Sequence, residues 1–150
     1  MHPSFWDLLS NRPLWAALLG WFLAQLLKVP IYRLVDKKWD WKRFHGSGGM
    51  PSSHTAFVVA LSLMIGITEG FGSAAFAISF TLSAIVMYDA TGVRRETGTQ
   101  AQVINEILRN VFVDGKPISE DNLKELVGHK PIEVAVGFAV GMLAALPFML

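Results

Sequence analysis

The sequence predicts an all-α fold: a polytopic membrane helical bundle of about four transmembrane helices, with an amphipathic helix on its cytoplasmic side. Three observations predict it. Only 17% of the 150 residues are charged and 52% are hydrophobic, whereas a soluble domain carries about 25% charged residues. Four apolar stretches approach the roughly 20 residues that a helix needs to cross a hydrocarbon core. The basic residues are also concentrated in the segments on one side of those stretches. The length suits a single membrane-embedded domain over residues 1–150. With no cysteine present, disulfide and thiolate-metal frameworks are excluded.

The first stretch covers about residues 14–35, with Lys28 and Arg33 as its charges. It is too long for the apolar region of a cleaved signal peptide, carries Lys28, and lacks a clear small-residue cleavage site after it, so it reads as a span. The second covers about 55–68, extended at its start by Pro51–His54, and the third about 71–88. Only Glu69 and Gly70 separate these two, which predicts a tight antiparallel hairpin. The fourth runs from about residue 131 to the C-terminus.

Four spans put segments 36–54 and 89–130 on the same side. Ten of the 13 Lys and Arg lie there: Lys37, Lys38, Lys42, Arg43, Arg94, Arg95, Arg109, Lys116, Lys124 and Lys130. Cytoplasmic loops carry the excess of basic residues, so this side is expected to be cytoplasmic. Within it, Val103, Ile104, Ile107, Leu108, Val111 and Phe112 recur at helical spacing, predicting an amphipathic helix over 98–113. That helix either lies among the headgroups or packs on the bundle. A turn at Asp114-Gly115-Lys116-Pro117 and a short helix from Ser119 to Gly128 follow.

Three short segments carry chemistry. Gly46-Ser47-Gly48-Gly49-Met50-Pro51-Ser52-Ser53-His54 leads into the second span. Its glycines let backbone amides approach a ligand, and a helix start favours anions; the alternative is a flexible loop with a serine cap. Gly128-His129-Lys130-Pro131-Ile132-Glu133 opens the fourth span. Glu133, four residues after His129, is spaced to orient its ring, or else complements the helix dipole. Asp89-Ala90-Thr91-Gly92-Val93-Arg94-Arg95 ends the third span. Its arginines either clamp phosphate or anchor at anionic lipid. Lys28 belongs with this group, or pairs with Asp89, or snorkels to the interface.

All these features fall at one membrane face, and together they resemble a known family. Pro51-Ser52-Ser53-His54 is similar to the P-S-G-H motif of the type 2 phosphatidic acid phosphatase and vanadium haloperoxidase superfamily. Gly128-His129-Lys130-Pro131-Ile132-Glu133-Val134, followed by Gly137, resembles its S-R-x5-H-x3-D motif. Joined to Asp-x-x-Gly-Val-Arg-Arg, the set looks like a small divergent branch of that superfamily, over about residues 25–145. The departures are specific. The K-x6-R-P motif has no match, Ser53 replaces a glycine, Glu133 replaces an aspartate, and Asn122 and Leu123 stand at the Ser-Arg positions. Arg94 or Arg95 is left to supply the missing arginine's charge.

The resemblance implies hydrolysis of a phosphomonoester or diphosphate on a lipid, without metal or other cofactor. His129 would be the nucleophile, oriented by Glu133, and His54 the general acid and then base. Arg94, Arg95, Lys28 and the amides around Ser52 and Ser53 would hold the phosphate. Phosphatidylglycerol phosphate, phosphatidic acid and polyprenyl diphosphate all fit, with the cytoplasmic site favouring the first. The expected partners are this lipid phosphate and the bilayer, with no nucleic acid, and a homo-oligomer is compatible. The expected location is a bacterial plasma membrane, with the site on the cytoplasmic face. The rival class is a lipid-phosphate-binding or transport component with a relic site, favoured by Leu123 at the arginine position.

Overall fold

The computed structural model describes residues 5–37, 49–110, 112–113, 116–117 and 129–149. The expected helix over 119–128 and the loop residues Gly46, Ser47 and Gly48 lie outside the described residues, as do the side chains of Arg94 and Arg95.

A short helix α1 (Phe5–Leu9) precedes α2 (Arg12–Asp36). Asn11 starts α2, its Oδ1 accepting the Leu14 amide at 3.0 Å, with Pro13 in the first turn where its missing N–H costs nothing. The helix ends as Lys37 turns left-handed at φ 55, and Arg33 Nη1 donates to the Lys37 carbonyl at 2.8 Å. Next come α3 (Ser53–Glu69) and α4 (Ala74–Thr91), joined by the expected tight hairpin. Gly70 at φ 90 permits the turn, and Ser73 Oγ accepts the Phe76 amide to open α4. Gly92 interrupts the chain before α5 (Val93–Asn110). The last helix is α6 (Pro131–Ala145), ending in a 3-10 turn over Leu146–Phe148.

Three of these helical stretches, Arg12–Leu34, the run beginning at Ala74, and Pro131–Phe148, are long and apolar enough to cross a membrane. The fourth expected span, α3, has 17 residues, about 25 Å at 1.5 Å per residue, and lies at the short end of the spanning range. It is also the central helix, packed against α2, α4 and α6, while α2 packs in turn on α6. The polytopic all-helical bundle is therefore borne out.

Small residues let the central helix be surrounded. A β-carbon on Gly20 of α2 would sit 2.8 Å from the Ala56 carbonyl oxygen, and one on Gly141 of α6 only 2.6 Å from the same atom. Two helices thus approach α3 backbone-close at Ala56, the kind of contact that holds helices together where water supplies no hydrophobic drive. Around it lie Ala24 and Val140, and further along Ala16, Ala60, Met64, Ala144 and Ala145. α4 sits outside this trio and uses polar contacts: Ser83 Oγ donates to the Val58 carbonyl at 2.9 Å, and Ser79 and Ser62 hydroxyls meet at 3.4 Å.

The amphipathic helix departs from its expected limits. It starts at Val93, directly after Gly92, and stops at Asn110. Phe112–Val113 (β1) instead pairs antiparallel with Lys116–Pro117 (β2) across residues 114–115, a spacing that suits a two-residue Asp-Gly connection. Its buried side carries Ala101 and Asn105, whereas Val103, Ile104 and Ile107 remain exposed. Val103, Ile104 and Ile107 are therefore not the residues by which the helix packs on protein.

Candidate active site at the convergent ends of three helices

Backbone hydrogen bonds draw the start of α3, the end of α4 and the start of α6 together. The Ser52 amide donates to the Glu133 carbonyl at 2.9 Å, and the His129 amide donates to the Ala90 carbonyl at 2.9 Å. Two of the three segments singled out in the sequence are thus tied directly to the third. Gly137 makes the first tie possible, since a β-carbon there would lie 2.5 Å from the Ser52 carbonyl oxygen.

Ser52 is the N-cap of α3. Its Oγ accepts from the Thr55 amide at 3.3 Å and from the Thr55 hydroxyl at 3.0 Å. Pro51, Ser52, Ser53 and Thr55 are all buried, preceded by Gly49 at φ 81, a backbone state that glycine adopts without strain. The Ser52 hydroxyl and amide are committed to the fold. Ser53, 3% exposed, occupies the first helical position, where α-helical bonding supplies no acceptor for an amide.

His54 follows, exposed on the first turn of α3, while His129 is 4% exposed just ahead of α6. Their ring centroids lie 6.4 Å apart, at an interplanar angle of 76°. That separation leaves both rings within reach of one small tetrahedral group, given hydrogen-bond distances of about 2.6–3.2 Å. One ring is sheltered and the other opens outward.

Glu133 lies one helical turn from His129. Its Oε2 accepts the Lys130 backbone N–H at 2.9 Å, closing the first turn of α6 on the residue next to His129. Among the described residues, this cap is the hydrogen bond that the carboxylate makes, and His129 is fixed through its own backbone by Ala90. Lys28 is 3% exposed within α2. Ala24 packs with Ala56 and Val140, and Lys28 lies one turn further toward the end of α2 that neighbours the histidines. Arg94 and Arg95 fall in the first turn of α5, immediately after the Gly92 break.

Sequence reasoning passed over Gln25 and Asn105. Gln25, one turn before Lys28, is 7% exposed, and its Oε1 is buried without a hydrogen-bond partner among the described residues. Asn105 is wholly buried. An amide in an otherwise apolar run was the available signal for Gln25. Asn105 gave none, because polar residues on an amphipathic helix ordinarily face water.

Two histidines from separate helical segments thus meet at the convergent ends of a helical membrane bundle. The chain belongs to the divergent PAP2 family, whose model matches residues 9–144. It is 43% identical to the Bacillus subtilis (strain 168) protein named uncharacterized membrane protein YuiD, covering 93% of this chain and 95% of that one. No solved structure gives a significant match.

Proposed function

We propose that this protein is a lipid phosphatase that hydrolyses a phosphomonoester or diphosphate of a membrane lipid through a phosphohistidine. The observation that carries this reading is the 6.4 Å approach of the His54 and His129 rings, two residues far apart in sequence. Membership of the divergent PAP2 family supports it.

In this reading the sheltered His129 attacks phosphorus, forming a P–N bond as the P–O bond to the lipid breaks. His54, on the accessible side, gives its proton to the departing lipid oxygen. It then takes a proton from water as that water attacks the phosphohistidine, so that phosphate leaves and both rings return to their starting states. Lys28, Arg94 and Arg95 supply positive charge to the phosphoryl oxygens, together with the Ser53 amide at the helix start. Ser52 and Glu133 act as positioning residues, the one by capping α3 and the other by capping α6 beside His129. A phosphate on a lipid at the membrane surface reaches such a site without leaving the bilayer. The basic segments favour the cytoplasmic face of a bacterial plasma membrane, and hence phosphatidylglycerol phosphate among the candidate substrates. The fold is read as one domain.

The test is phosphate release from phosphatidylglycerol phosphate, phosphatidic acid and a polyprenyl diphosphate by the purified chain, with and without chelator. Release that persists in chelator and disappears in His129→Ala supports the proposal. Binding of lipid phosphate with no release from any of the three would make the chain a binding or transport component with a relic site.

A further inference from the structure

The end of the bundle opposite the histidines carries an open groove of about 560 Å³ between the start of α2, the last two turns of α3 and the start of α4. Along α3, at 1.5 Å per residue, His54 lies about 10 Å from Leu61 and about 22 Å from Glu69, so the groove is separate from the site described above. Leu14, Leu61 and Ile65 line its apolar part, and Asp7, Arg12 and Glu69 are among its polar lining. Arg12 and Glu69 stand at the ends of their helices, the level at which a bilayer passes from hydrocarbon to headgroups. Among the described residues neither makes an ion pair.

We infer that this groove binds a zwitterionic phospholipid, whose headgroup joins a phosphate to an ammonium. The charge pattern selects the ligand. An anionic headgroup would satisfy Arg12 but face the carboxylates of Asp7 and Glu69, and a simple cation would meet the reverse problem. A phosphate joined to an ammonium satisfies both signs at once, with the planar guanidinium suited to the phosphate. The size agrees, since ligand sites run from about 300 to 1,000 Å³. This groove holds a headgroup and glycerol while its open side releases the acyl chains to the bilayer. α4 packs on α3, with Ser79 against Ser62, and Ala75 at its start lines the groove.

The test uses the full chain, purified and delipidated in mild detergent. Phosphatidylethanolamine and phosphatidylglycerol with identical acyl chains are titrated in, and bound lipid is counted by native mass spectrometry. Phosphatidylethanolamine should bind one per chain and at least about fivefold more tightly, and either Glu69→Gln or Arg12→Gln should bring the two within about twofold. Leu61→Trp, which fills the apolar floor, should weaken both lipids together and serves where a charge variant fails to fold. His129→Ala should leave the preference intact, which separates this site from the proposed phosphatase site. Equal affinity for the two lipids, a preference that survives both charge changes, or one lost in His129→Ala would overturn the inference. So would a dimer that crosslinks through Ala75→Cys and excludes lipid from the groove.

Discussion

His54 and His129 differ most in exposure, and that difference predicts different consequences for their removal. A sheltered nucleophile has no substitute, so His129→Ala should lower turnover about a thousandfold or more and abolish trapping of a labelled phosphoenzyme. An acid that protonates the leaving oxygen matters less when that oxygen leaves easily. His54→Ala should therefore slow a lipid alkyl phosphate by about 10²–10⁴-fold and nitrophenyl phosphate much less. Equal losses on both substrates would remove His54 from the acid role. The double variant should be little worse than His129→Ala, since the two act in one pathway. Glu133 behaves differently again: losing its bond to the Lys130 amide should cost about 1 kcal/mol of stability in Glu133→Ala. Glu133→Gln, which still presents an acceptor oxygen, should recover most of that in thermal unfolding. Both histidines were legible in the sequence because each stands in a short recognisable string. The partner of the Glu133 carboxylate was not, because a carboxylate there can reach either the ring four residues back or the amide three back, and only the fold separates the two.

Among the elements, the closest contacts are set by glycine. Gly137→Ala would drive a methyl group to 2.5 Å from the Ser52 carbonyl oxygen, which belongs to backbone and has no rotamer by which to yield. The first turn of α6 should move off the start of α3, lowering stability by about 1–3 kcal/mol and activity with it. Gly72→Ala, where the added carbon meets nothing within 4 Å, is the control and should leave both unchanged in a melting and turnover comparison. The boundaries of α2, α3 and α4 were largely legible from the apolar stretches, and in the structure Asn11, Ser52 and Ser73 cap these helices. The orientation of α5 was not. Its apolar stripe predicted packing on protein as readily as contact with lipid, yet it is Ala101 and Asn105 that are buried. The exposed Val103, Ile104 and Ile107 are then expected to meet the bilayer. Ile104→Asp with Ile107→Asp should raise protease cleavage within α5 in vesicles, and unchanged cleavage would argue for a face in water.

For the whole molecule, the basic residues predict a single sidedness. Cysteines replacing Lys37 and Lys130 should react with an impermeant maleimide from the cytoplasmic side only, and one replacing Glu69 from the other. Labelling of Lys37→Cys and Lys130→Cys from opposite sides would remove the common face on which the histidine site depends.

The sequence by itself determined the membrane character and the all-helical bundle of apolar helices, because these follow from summed hydropathy, which needs no knowledge of neighbours. It also carried the family resemblance, through strings short enough to survive in one dimension. Tertiary structure alone decided that α3, shorter than the three apolar runs long enough to cross a membrane, is the centre. That outcome depends on Gly20 and Gly141 converging on one carbonyl of Ala56. It alone brought the two imidazoles to 6.4 Å, since their approach rests on Ser52–Glu133 and His129–Ala90 backbone bonds that join different helices. It alone formed the groove at the far end, between residues of α2, α3 and α4 that are distant in sequence. Contacts between distant segments depend on the shapes of both surfaces, and periodicity along the chain encodes only which face of each helix is apolar.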